Sequence, residues 1–201
     1  TPGMDREISN EFQKILKKQG INFKLNCKVT GVSNGSNKAI IEFIDNKTSE
    51  KTRLDCEKVL VSVGRKPYTE GLNLNKIGIK KDEKGRIEIN DKFQTSINNI
   101  YAIGDVIKGP MLAHKAEEEG IAVAELIAGQ SGHVNYDVIP GVIYTSPEVA
   151  YVGKNEEELK EKKINFKVGK FPFMANSRAK AINEPEGFVK ILAESTTDRV
   201  L

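Results

Sequence analysis

IYAIGDVIKGPMLAHKAEEEGIAVAELIAG, residues 100–129, changes its period part-way along. Ile100–Ile103 is a short apolar run of the kind a buried strand makes, and Gly104-Asp105 ends it. From Met111 to Ala128 the spacing turns helical, with Leu112, Ala116, Ile121, Ala124 and Ile127 available for a core face and Gly129 past the end. Strand, Gly-Asp, loop, helix is a ligand-site arrangement, because in open α/β sheets ligands bind beyond the carboxyl ends of strands. Glycine lets backbone come close, and a carboxylate accepts hydrogen bonds from sugar-type hydroxyls. Asp105 is therefore the leading candidate residue, and a plain turn is the alternative for any Gly-Asp pair. The unsatisfied N–H groups where the helix begins, within Met111-Leu112-Ala113-His114, favour an electron-rich group.

Upstream, Asp5 to Gln19 sets Ile8, Phe12, Ile15 and Leu16 on one stripe of a charged helix that Gly20 closes. From Ile21 the period becomes 2: Ile21, Phe23, Leu25, Cys27 and Val29 alternate with polar residues, which predicts a strand with one buried face. Asn34-Gly35 is a hairpin signal leading into Lys38–Ile44 and, past a polar bend, Lys51–Cys56, an antiparallel meander. Lys58–Val63 (KVLVSV) is an apolar run, interrupted at Ser62 and bounded by charge and Gly, as in a strand covered on both faces in a parallel sheet. Residues 68–99 are turn-rich and read as a connection. Beyond Gly141 come short strands at Val142–Thr145 and Ala150–Val152 and a charged helix at Glu156–Lys163. Phe166–Phe173, Phe188–Leu192 and the opening of a strand at Asp198–Leu201 complete an α+β region with an antiparallel sheet.

The 201 residues carry 31 basic and 28 acidic side chains, a net charge of +3, with 38% apolar residues. That is globular composition, not disorder. The lysines are scattered, so no electrostatic footprint for nucleic acid forms. No apolar run approaches the roughly 20 residues of a spanning helix. Cys27 and Cys56 fit no metal-ligand spacing, with or without His114 and His133, so no metal is expected and both read as buried thiols. The sequence opens at Thr1 without an initiator Met or a basic-then-apolar leader pattern, so a targeting peptide is expected to have been removed or never to have belonged to this stretch, and the start looks like a cut.

Tyr101–Gly120 (YAIGDVIKGPMLAHKAEEEG) resembles the second flavin-contacting motif of the dihydrolipoamide dehydrogenase family. GRKP at Gly64–Pro67, YTSPEVAYVG at Tyr144–Gly153, KFPFMANSRAK at Lys170–Lys180 and STTDRVL at Ser195–Leu201 resemble the same family in the same order. The resemblance implies an α/β chain: part of a Rossmann-like FAD/NAD-binding domain, then an α+β dimerisation domain with an antiparallel sheet. Residues 1–68 would be the C-terminal part of the NAD-binding domain, 69–138 the FAD-contacting central segment, and 139–201 a truncated dimerisation domain. It implies Asp105 on the ribityl and phosphate side of FAD, with the backbone of Met111, Leu112, Ala113 and His114 against the flavin ring. His114 could instead only cap its helix or face solvent. Val29 resembles a contact to the adenine end of NAD, with core packing as its alternative. Gly64 resembles the glycine beside the nicotinamide.

Arg65 and Lys66 read as a solvated face or salt-bridge donors, and Glu117, Glu118 and Glu119 as solvated charges. Ser146 stands where the family often has histidine. The family's redox C-x-x-x-x-C pair, its two G-x-G-x-x-G loops and its C-terminal histidine-glutamate pair are missing from these residues, so no catalytic residue is expected here and this stretch alone is expected to be inactive. For the intact enzyme the resemblance implies oxidation of protein-bound dihydrolipoamide with FAD and NAD, a homodimer, lipoyl domains of 2-oxo acid dehydrogenase complexes as partners, and the mitochondrial matrix or a bacterial cytoplasm. The alternatives are a related flavin disulfide reductase of the glutathione or mercuric type, or a non-enzymatic dimerising module.

Overall fold

The structure is a computed structural model, and it describes residues 3–201. The chain divides into two compact units, one spanning Glu7–Val63 and the other Gly64–Leu201 with the residues up to Arg6.

In the first unit, helix α1 (Arg6–Lys18) follows the expected stripe and buries Ile15 and Leu16. Gly20 and Ile21 close it by donating their N–H groups to the carbonyls of Lys17 and Leu16, both at 3.0 Å, a Schellman ending. Three antiparallel strands follow in the order β1-β2-β3: β1 (Cys27–Asn34), β2 (Ala39–Asp45) and β3 (Lys51–Cys56). The Asn34-Gly35 signal is realised as the β1–β2 connection, where Gly35 donates to the Lys38 carbonyl at 2.7 Å. Asp45 closes the β2–β3 turn, its Oδ1 accepting from the amides of Lys47 and Thr48.

Three expectations about this unit are corrected. The strand begins at Cys27, not Ile21, and Val29 is 59% exposed, so it is not a core residue. A bulge between Val29 and Gly31 interrupts the β1 register beside it. Lys58–Val63 forms no ladder among the described residues, and Leu60 and Val63 are 90% and 92% exposed. Apolarity marks a segment that wants cover, but a strand exists only where a neighbour offers its backbone. Cys27 and Cys56 are free thiols at the sheet edges, half-buried rather than buried.

In the second unit the turn-rich stretch 68–99 supplies much of the core. Leu74, Ile79, Ile87 and Phe93 pack with Ala102, Ile107, Ala122 and Val134. Single bridges, Lys81 with Ile87 and Gln94 with Tyr101, fasten it, so Ile100–Ile103 contributes one bridge rather than a strand. Periodicity is blind to such a core because isolated apolar residues between turns carry no period. Helix α2 (Ala113–Ile127) lies against this cluster through Ala122, Val123 and Leu126.

Its buried face is not the expected one. Ile121 and Ile127 are exposed, while Lys115, Glu119 and Ala122 are buried. Downstream, β4 (Gly141–Ile143) pairs with β5 (Val149–Tyr151), and β6 (Phe166–Pro172) pairs with β7 (Phe188–Glu194), both antiparallel as expected. Between them α3 (Glu156–Glu161) opens on a capping box of Asn155 and Glu158 and buries Leu159 completely. Helix α4 (Ser177–Ala181), which the sequence reading did not separate, starts where the Asn176 side chain accepts from the Ala179 amide. The final residues return to β7, Val200 bridging Ala193.

Candidate functional site

Gly104–Val106 is one turn of 3-10 helix at the end of the 100–103 run. Gly104 is buried at φ +72°, a conformation that costs an L-residue roughly 1–2 kcal/mol. A Cβ there would also stand 3.2 Å from the Ala116 Cβ, so the turn and the first turns of α2 approach as closely as glycine permits.

Two side chains of α2 hold both backbone polar groups of Gly104. Glu119 Oε2 accepts from the Gly104 N–H at 2.7 Å, and Lys115 Nζ donates to the Gly104 carbonyl at 3.0 Å. The two are joined at 2.9 Å, both wholly buried, and the Tyr136 hydroxyl donates to Glu119 Oε1 at 2.8 Å. Burial and the neighbouring Glu119 carboxylate push the Tyr136 phenol well above its ordinary value. Glu119 is thus the opposite of the solvated charge expected from the Glu117-Glu118-Glu119 run, although Glu117 and Glu118 are exposed. An i, i+4 lysine-glutamate pair reads as a surface pair in sequence; only the Gly104 peptide explains its burial.

From this clamp Asp105 projects outward. Its carboxylate is exposed and has no hydrogen-bond or ion-pair partner among the described residues. Helix α2 begins at Ala113, so Met111 precedes it and Leu112 is its N-cap, in extended conformation and offering no capping side chain. The first-turn amides of α2 therefore lack an acceptor from a capping side chain. The His114 ring is tied down, its Nε2 donating to the Pro140 carbonyl at 2.8 Å, and Arg65 Nη1 donates to the Met111 carbonyl at 3.4 Å.

Gly64 is exposed at φ +107°, with open space where a Cβ would stand. Val29 lies on β1 in the other unit. The structure thus brings Asp105 and Leu112–His114 into one locality, on elements joined by Lys115 and Glu119. Sequence reasoning missed Lys115, Glu119 and Tyr136; for the first two the available signal was polar residues at helical spacing on the face turned toward Gly104.

An acceptor carboxylate on a fixed turn beside an uncapped helix start suits a ligand that carries hydroxyls and an electron-rich ring. Residues 1–120 match the family described as pyridine nucleotide-disulphide oxidoreductase, and residues 139–201 match the dimerisation domain of the same family. The chain belongs to the pyridine nucleotide-disulphide oxidoreductases. Among relatives of this family, the mitochondrial dihydrolipoyl dehydrogenase of Pisum sativum is 55% identical over 200 residues, covering 100% of this chain and 40% of its own length. The leghemoglobin reductase of Glycine max is 54% identical over 200 residues, with 100% and 38% covered. The chain therefore spans about 40% of the length of the curated relatives it matches. Among solved structures, the HOCl-induced flavoprotein disulfide reductase RclA of Escherichia coli superimposes with a TM-score of 0.88 at 27% identity, over 100% of this chain and 45% of that one. The α/β fold expected for the chain is that of this oxidoreductase family, and no helix among the described residues is long and apolar enough to cross a membrane.

Proposed function

We propose that these residues are the nicotinamide-side, flavin-contacting and subunit-contacting part of a dihydrolipoyl dehydrogenase. The intact enzyme would oxidise protein-bound dihydrolipoamide to lipoamide through a disulfide and FAD, reducing NAD+ to NADH. The observation that carries this is the exposed, partnerless Asp105 carboxylate held beside the uncapped start of α2. The donor set fits FAD: a carboxylate for ribityl hydroxyls, and amides at a helix N-terminus for the electron-rich edge of a ring. When bound, FAD supplies two-electron transfer between thiols and nicotinamide.

The protein's part is placement and electrostatics. Asp105 would accept hydrogen bonds on the ribityl and phosphate side. Met111, Leu112, Ala113 and His114 would present backbone to the flavin ring, with the His114 side chain anchored on Pro140 and so outside the chemistry. Gly64 would lie beside the nicotinamide and Val29 at the adenine end of NAD. Cys27 and Cys56 are free and lie opposite Asp45 and Ala39 at the two ends of β2, so they form no dithiol pair, and the disulfide of the proposed reaction would come from elsewhere in the intact enzyme.

In domain terms, 1–68 would complete the NAD-binding domain, 69–138 would contact FAD, and 139–201 would join two copies into a homodimer. The match of 139–201 to a dimerisation domain supports the last assignment. Lipoyl domains of 2-oxo acid dehydrogenase complexes are the partners that the reaction requires. Relatives named mitochondrial in plants, worm and mammals favour the mitochondrial matrix, with a bacterial cytoplasm as the second reading.

The test is made on the holoprotein that contains this sequence. Asp105→Ala should weaken FAD binding at least tenfold, about 1.5–3 kcal/mol for a charge-assisted hydrogen bond, read by flavin fluorescence on titration. Unchanged affinity rejects the site. NADH production with dihydrolipoamide, and none from NAD+ with reduced glutathione, is the expected substrate result; the reverse rejects the dehydrogenase assignment.

A further inference from the structure

Lys115 and Glu119 are wholly buried on a helix whose Glu117 and Glu118 face solvent. Burying an ion pair is poor value for stability, since two apolar side chains of similar volume commonly do as well or better. The pair must be understood through what else it holds. Both carboxylate oxygens of Glu119 are engaged: Oε1 takes Lys115 at 2.9 Å and Tyr136 at 2.8 Å, and Oε2 takes the Gly104 N–H at 2.7 Å. Lys115 reaches the other pole of the same residue, the Gly104 carbonyl, which also accepts from the Ile107 amide at 3.3 Å.

One helix therefore grips both polar groups of the residue immediately before Asp105. The same helix begins with the uncapped amides at Ala113 and His114, two residues and one residue before Lys115. The carboxylate and the helix start become parts of a single rigid body, and their separation is set by the Lys115–Glu119 pair. The acceptor-only carboxylate meets the Gly104 N–H and the donor-only ammonium meets the Gly104 C=O, and the two charges satisfy each other.

We propose that Lys115 and Glu119, completed by Tyr136, are positioning residues that fix Asp105 relative to the N-terminus of α2 and so preorganise the flavin site. The inference rests on the functional reading above. It does not make them catalytic residues, since neither reaches the exposed side of the turn.

The experiment uses the holoprotein, with FAD affinity by fluorescence, thermal unfolding, and hydrogen exchange of the Gly104 and Asp105 amides. Lys115→Met or Glu119→Leu alone leaves a buried charge unpaired and should lower both unfolding temperature and affinity. The double variant Lys115→Met with Glu119→Leu restores an apolar, volume-matched pair, and its unfolding temperature should return to within a few degrees of wild type. Its FAD affinity should nevertheless stay tenfold or more below wild type, with exchange at Gly104 and Asp105 at least tenfold faster.

A double variant with wild-type affinity and wild-type exchange overturns the proposal, because the pair would then only fill space. Should the double variant not fold, Tyr136→Phe decides: a several-fold loss of affinity with unchanged unfolding temperature supports positioning, and unchanged affinity and exchange refute it. A wild-type protein that binds no FAD overturns the functional reading instead, and the exchange measurement still judges the clamp on its own.

Discussion

Gly104 concentrates three demands in one residue: a left-handed backbone, a close approach to Ala116, and a backbone N–H and C=O that are both captured by α2. Alanine there meets the first two penalties together. Gly104→Ala should lower stability by about 2–3 kcal/mol, the conformational cost of roughly 1–2 plus crowding against the Ala116 Cβ. Urea unfolding at neutral pH measures it, and a loss under about 0.5 kcal/mol would show that the turn relaxes freely. Asp105→Ala, by contrast, removes an exposed side chain without an internal partner, so the FAD-free fold should lose within about 0.5 kcal/mol. The two neighbours separate cleanly, one holding the turn's shape and the other supplying its chemistry.

Among the elements, α3 shows how local sequence and long-range pairing combine. Asn155 and Glu158 form its capping box, and Glu156 in its first turn bonds both Lys160 and the nearly buried Lys190 of β7. The hydrogen bond from Lys160, then that from Lys190, holds the Glu156 carboxyl below its ordinary 4.5. A folded pKa below the unfolded one gives stability that is present above the unfolded value and lost as pH falls through the folded value. The unfolding temperature should therefore drop as the pH falls below the ordinary 4.5, and Glu156→Gln should drop less over the same range. Parallel profiles would show that this contact does not contribute. Elements of this kind were legible beforehand: α1, the Asn34-Gly35 hairpin, β3, α3 and the β6–β7 pair all follow from period, caps and turn residues. Ile21–Leu25 and Lys58–Val63 were not, because alternation and apolarity state which face needs cover and not whether a partner strand is present. The same limit explains Glu119. Composition and spacing place a carboxylate on a helix surface, while its burial is decided by a glycine 15 residues upstream in the chain.

At the scale of the whole molecule, the β6–β7 pair has two unlike faces. Leu192 is buried on one, where Lys190 also makes its ion pairs. The register places Phe171 opposite Val189 and Gly169 opposite Ile191, so Phe171, Val189 and Ile191 share the other face, 50%, 43% and 50% exposed. Such an apolar cluster on a segment that matches a dimerisation domain is suited to cover by a second copy in the proposed homodimer. A full side chain buried there would contribute about 1.5–3 kcal/mol. Ile191→Asp should then raise the dimer dissociation constant tenfold or more by sedimentation velocity. Because Ile191 is already half exposed within its own subunit, the unfolding temperature of the separated subunit should shift little. A variant that remains as tightly dimeric as wild type would remove this face from the interface, and one that loses its own fold would show that the face is covered from within the subunit.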